Sequence, residues 1–192
     1  MNVDEMVQES HSRSTRKGWW TTPEDREIPA KLALVHSEFS EALEEYRRGR
    51  MEIWFNGVES PKDRAEWPNF VSAGHKPEGF VVEIADALIR ICDISGWLEV
   101  PLADRVAEAR RILGAHPFRG VGTEVAWLHN GISVALEAHR AGVYGDLWIA
   151  FGATFGACEF LCSELGLDLD EAIRLKQLFN ETRAIRHGGR VI

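Results

Sequence analysis

The segment FVVEIADALIRICDISG (80–96) is apolar almost all round when its residues are set at about 100° per residue, the turn of an α-helix. Val81, Ile84, Ala85, Leu88, Ile89, Ile91 and Cys92 cover most of its surface. Glu83, Asp86, Arg90 and Asp93 share one narrow stripe. A helix that is apolar on nearly every side is normally buried, and buried carboxylates are costly unless paired or metal-bound. The segment is therefore expected at the centre of the molecule. Its stripe must reach water through a cleft or face groups that balance its charge.

Helical patterns dominate on either side of it. Helices are expected at about 3–16, 29–49, 77–97, 101–113, 121–141, 145–165 and 168–184, with 50–76 irregular around Pro61, Pro68 and Gly74 and the tail RHGGRVI as loop. No strand alternation appears, so the fold class is all-α. The 192 residues suit one domain, and the net charge of −8 argues against general binding to nucleic acid or to anionic membrane. The apolar run LWIAFGATFGACEFLC (147–162) is short for a bilayer and contains Glu159. The N-terminus lacks the apolar stretch of a signal peptide. Cys92, Cys158 and Cys162 all fall in apolar helical patterns and read as reduced core thiols of a cytoplasmic protein.

The chain repeats itself. LVHSEFSEALEEYRRG (34–49) aligns with WLHNGISVALEAHRAG (127–142) with seven identities in sixteen positions. The partner segments 80–96 and 150–166 align more weakly, Cys92 with Cys162 and Gly96 with Gly166. The expected architecture is a four-helix-bundle core made of a degenerate tandem helix pair (28–98 and 120–166), with an N-terminal helix and a closing helix and tail (167–192), in one domain. Glu38 and Glu41 of the first copy become Gly131 and Val134 in the second, and Glu83 and Asp86 become Ala153 and Gly156. Independent surface acids need not vanish as a set, whereas members of one site would.

Residues three or four apart on a helix are neighbours, so Glu38/Glu41 and Glu83/Asp86 form two carboxylate pairs on helices expected to pack together. At ~5 Å and an effective dielectric of ~20, each like-charge pair costs about 3 kcal/mol. The cluster needs partial protonation or cations, and hard oxygen ligands suit Mg²⁺ or Mn²⁺. The competing reading is a solvated acidic face. A di-iron carboxylate site is disfavoured because no histidine has a glutamate three residues before it.

ExxE on one helix followed by ExxD on the next resembles the MazG-like, all-α nucleoside triphosphate pyrophosphohydrolases, relatives of the dimeric dUTPases. KLALVHSEFSEALEEYR (31–47) and KPEGFVVEIADALIRICDISG (76–96) are similar to the family's core segments. KGWW (17–20) and LDLDEAIRLKQLFNETRAIRHGGRVI (167–192) are similar to its opening and closing stretches. About half the chain is covered, and the second helix pair between 97 and 166 departs from the simple family pattern. The resemblance implies Mg²⁺ held by Glu38, Glu41, Glu83 and Asp86, and hydrolysis of (deoxy)nucleoside triphosphates to monophosphate and pyrophosphate in nucleotide-pool housecleaning. Glu41 or Glu45 then assists as base. Lys176, Asn180, Arg183, Arg186 and His187 become phosphate or sugar contacts, and Trp19 and Trp20 either stack a base or pin a loop. The assembly is expected to be a homodimer or a pseudo-dimeric monomer. Two alternatives stay open: a non-catalytic nucleotide-binding or dimerisation module, and a phosphohydrolase acting on another phosphate ester.

Overall fold

The side chain of Asn2 accepts the amides of Asp4 and Glu5 and so caps the first helix, α1 (Val3–Arg16). The computed structural model describes residues 2–114 and 116–189. After a single 3-10 turn comes α2 (Ile28–Arg47), with Pro29 in its first turn, where a missing amide costs no hydrogen bond. Its buried positions Ile28, Leu32, Val35, Phe39 and Ala42 recur every three or four residues, the stripe of a helix with one face in the core.

The segment expected to be irregular carries a minimal antiparallel ribbon, β1 (Trp54–Phe55) on β2 (Pro77–Glu78), with α3 (Trp67–Ser72) between them. The next helix, α4 (Phe80–Trp97), starts three residues later than the sequence suggests. Gly79 is the reason. Its φ is 121°, outside helical space, and a Cβ there would run into the carbonyl oxygen of Glu52. Pro77 is therefore used by the ribbon and not by the first turn of α4.

The remaining helices are α5 (Leu102–Leu113), α6 (Val121–Ala141), α7 (Tyr144–Glu164) and α8 (Leu169–Thr182). The tail, expected as loop, forms one short turn, α9 (Arg186–Gly189). No helix of the described residues is long and apolar enough to cross a membrane.

Helices α2, α4, α6 and α7 build the central bundle, α2 packing on α4 and α6, and α7 on α6 and α4. One apolar core runs through both pairs. The two copies meet at equivalent residues. The His36 and His129 rings stack at 9° with centroids 5.2 Å apart, and their Nδ1 atoms share a 2.9 Å hydrogen bond. A residue that touches its own equivalent lies on a twofold axis, so the pairs α2–α4 and α6–α7 are related by a pseudo-twofold. Local bonds repeat with it. Ser40 donates to the His36 carbonyl at 3.1 Å and Ser133 to the His129 carbonyl at 3.0 Å.

The third helix of each half crosses over. Leu102 N–H donates to the Val100 carbonyl at 2.8 Å, and Leu169 N–H to the Leu167 carbonyl at 3.1 Å, so the same turn launches α5 and α8. Yet α5 packs on α7, and α8 packs on α4. Gly152 and Gly156 make room for α5, since a Cβ on Gly152 would strike the Arg105 backbone and one on Gly156 would sit 2.9 Å from the Ala109 Cβ. The first-copy equivalent of Gly156 is Asp86, where α8 arrives carrying a lysine.

Candidate active site

Helix α4 supplies two members of the site from adjacent turns and α2 supplies the third. Oxygens of Glu38, Glu83 and Asp86 lie within 4.8 Å of one another. Glu38 and Glu83 are 5% and 2% exposed. The balancing charge comes from two directions. Arg90, one turn along the α4 stripe, donates Nε to Glu38 Oε1 at 2.7 Å. Lys176, from α8, places Nζ 2.7 Å from Asp86 Oδ2. Lys176 is 1% exposed, so its ammonium is committed to the cluster rather than to solvent.

The three carboxyls behave differently because their neighbours differ. Burial pushes Glu83 up to about 9; Lys176 works against this, while Asp86 and a hydrogen bond with Glu78 add to it. Burial, then the Asp86 charge, also raises Glu38, with Arg90 opposing. Burial acts on Asp86 as well, but Lys176 and then Arg90 overcome it and hold the carboxyl below its ordinary range. Lys176 in turn is raised by Asp86 and Glu83 despite its burial. With Glu83 protonated, Glu38 and Asp86 face Arg90 and Lys176, two charges against two. This answers how so apolar a helix carries its acids.

Glu41 stands apart. It is exposed on α2 and lies outside the group of three. Three helical residues advance about 300°, so its side chain leaves the α4-facing stripe. Its charge still reaches Glu38, raising it slightly further. Glu45 is a structural group, accepting from Trp54 Nε1 at 2.9 Å and Arg48 Nη1 at 3.1 Å.

A cleft of about 190 Å³ opens beside Asp86, between α1, α4 and α8. Arg13, Lys17, Lys31, Arg90 and Arg183 contribute positive charge to its walls, and Asn180 lies among them. Asp93, the last acid of the stripe, is fully engaged: its oxygens accept from His11, Ser14 and Trp20 at 2.8–2.9 Å. Trp20 is pinned by that bond and by stacking on Trp97 at 5.0 Å, so it anchors the loop. Trp19 lines the cleft under the ammonium of Lys31.

Of the closing residues named from the sequence, Lys176 reaches the carboxylates, and Asn180 and Arg183 reach the cleft. Arg186 goes elsewhere. It pairs with buried Asp25, donates Nε to the Gly18 carbonyl at 3.2 Å and lies over Trp19. The side chain of His187, and Arg190, lie outside the described residues. Arg90, Ser10, Arg13, Lys17 and Lys31 are site residues that the sequence alone leaves without a role. Arg90 was legible as a cation on the acidic stripe. The α1 residues carried only a weak signal, a polar i, i+3, i+4, i+7 set at 10, 13, 14 and 17.

Comparisons with protein-family models, with curated proteins and with solved structures give no match to this chain.

Proposed function

We propose that the chain is a divalent-metal-dependent nucleoside triphosphate pyrophosphohydrolase, cleaving between the α- and β-phosphates to release a nucleoside monophosphate and pyrophosphate. The observation that carries this is the juxtaposition of three carboxylates from two helices with a cationic cleft that shares Asp86. Acidic oxygens suit Mg²⁺ or Mn²⁺, and clustered Arg and Lys suit phosphate. The donor set fits a hard divalent cation, with Glu38, Glu83 and Asp86 as its holders and Glu41 at the rim. Such a cation, when bound, neutralises phosphoryl oxygens and lowers the pKa of bound water.

The chain's own groups prepare that chemistry. Lys176 holds Asp86 ionised and Arg90 fixes the position of Glu38, so little reorganisation is needed on binding. Burial raises Glu83 to about 9, so in the absence of a cation this carboxyl holds a proton at neutral pH. Arg183 and Asn180 line the cleft that begins beside Asp86 and are its phosphate contacts in this reading. Nucleotide-pool housecleaning in the cytoplasm is the role this activity suits. The second helix pair occupies the place an identical subunit takes in a twofold dimer, and the pseudo-dimeric monomer is the assembly we favour.

One observation favours a second reading. Arg90 and Lys176 already neutralise the ionised acids, so the site is stable without a metal, as a non-catalytic nucleotide-binding module requires. Pyrophosphate release from a panel of NTPs and dNTPs with Mg²⁺ separates the two. Metal-dependent release lost in Asp86→Asn and Glu38→Gln is expected. No release from any nucleotide by the folded protein sinks the hydrolase.

A further inference from the structure

Three residues that line the cleft beside the triad carry buried polar atoms that the fold leaves unpaired. Ser10 is 3% exposed, and its Oγ makes no hydrogen bond among the described residues. Arg13 donates Nε to Glu181 at 2.7 Å, while its Nη1 is buried without a partner. Asn180 Oδ1, on the α8 side, is also buried and unpaired. Folded proteins leave few such atoms unsatisfied. Three of the seven found among the described residues belong to residues that line this one cleft, which marks it as built for something other than packing.

The charge says what that something is. Five cations line the cleft against two carboxylates; Asp86 is paired with Lys176 and Asp93 with His11, Ser14 and Trp20, while Arg90 is paired with Glu38, Arg13 with Glu181 through Nε, and Lys17 donates to the Glu181 and Arg183 carbonyls. Lys31 is buried with its ammonium 5.1 and 4.8 Å from the Trp19 and Trp20 rings, and Asp93 and Asp25 act on it only at a distance. A local excess of positive charge on a chain of net charge −8 favours an anion. The size limits which part of a ligand enters. About 190 Å³ is below the roughly 300–1,000 Å³ of pockets that enclose whole small molecules.

We propose that the cleft is a chamber for the far end of a polyphosphate, holding the β- and γ-phosphates of a nucleotide and then the released pyrophosphate. Ser10 and Arg13 of α1 and Lys31 of α2 are its binding groups. The Asn180 amide, whose two ends exchange by a flip, offers an N–H from the other side. Asp86 is the boundary with the carboxylate triad. The nucleotide identity rests on the function proposed above; the anion chamber itself does not.

Pyrophosphate is the probe, titrated calorimetrically into the full chain with Mg²⁺ and with EDTA. Binding is expected in both, weakened at least tenfold by Arg13→Lys and by Ser10→Ala, the size of a lost hydrogen bond to a charged group. Arg140→Ala, on an exposed arginine of α6, leaves it unchanged. Ser10→Ala also removes an unpaired buried hydroxyl. The ligand-free protein should then melt no lower than wild type, while the pyrophosphate-induced rise in melting temperature shrinks. A purely structural Ser10 would lower the first and spare the second. Failure of wild type to bind pyrophosphate, or unchanged affinity in both variants, overturns the chamber. Pyrophosphate binding without nucleotide hydrolysis overturns the hydrolase and supports the chamber. Hydrolysis whose KM and pyrophosphate affinity ignore both substitutions does the reverse.

Discussion

Replacing Lys176 by Met keeps the length of the side chain and deletes its charge, so the cavity term is small and the electrostatic one dominates. In wild type the ammonium is 1% exposed and 2.7 Å from Asp86. Without it, Asp86 is left beside Glu38 and Glu83 with Arg90 and then Lys76 as its remaining cations. Breaking one side of a buried pair costs about 3–5 kcal/mol, a large share of the ~5–15 kcal/mol that holds a domain together. With a urea m-value of ~2 kcal/mol/M, the midpoint at pH 7 falls by about 2 M. The assay is urea unfolding followed by circular dichroism in EDTA, for Lys176→Met, Asp86→Asn and the double variant. The double variant should recover part of the loss, because a neutral amide no longer needs the cation. Asp86 has its folded pKa depressed by Lys176, so the pair's stabilisation is present above the unfolded carboxyl pKa and is lost as pH falls through the folded value. The cost of Lys176→Met must therefore shrink in acid. A cost below about 1 kcal/mol at pH 7, or strictly additive effects of the two substitutions, would refute the claim that α8 carries the counter-charge of the site.

Glu83 is raised to about 9 in the folded state, so the native protein holds one proton more than the unfolded chain between roughly pH 4.5 and 9. Stability contributed by this group is full below that window and drains away as pH rises, at up to about 1.4 kcal/mol per pH unit. Glu83→Gln should match wild type near pH 5 and exceed it increasingly toward pH 9 in chelator; a pH-independent difference contradicts the assignment. At the pseudo-twofold, burial lowers both His36 and His129, with the His129 charge a further cause for His36. Unfolded histidines then bind protons first, so stability from the pair is present above about pH 6.5 and lost as pH falls. The double variant His36→Gln/His129→Gln should lose less stability between pH 6.5 and 5 than wild type, as measured by thermal melts at each pH.

Much of the scaffold is legible because helix formation is local. The spacing of Ile28, Leu32, Val35, Phe39 and Ala42, and the nearly unbroken apolar surface of 80–96, fix which segments are helical and which face turns inward. The tandem repeat is equally visible, since His36, Ser40 and Arg47 reappear at His129, Ser133 and Arg140. Ends of elements were less legible where one residue's backbone conformation decided them, as Gly79 does for α4.

By itself, then, the sequence determined an all-α chain with a duplicated helix pair and a row of acids on its most buried helix. Tertiary structure decided the company those acids keep. It laid α8 across the first pair instead of the second, bringing Lys176 to Asp86. It turned Arg90 onto Glu38, left Glu41 in solvent, sent Arg186 to Asp25 and set Ser10 and Arg13 of α1 into the wall of the cleft. Periodicity reports the direction a side chain takes from its own helix axis. Which charge it meets depends on how helices far apart in the chain cross, and that crossing is set by where large residues find room, as α5 does at Gly152 and Gly156.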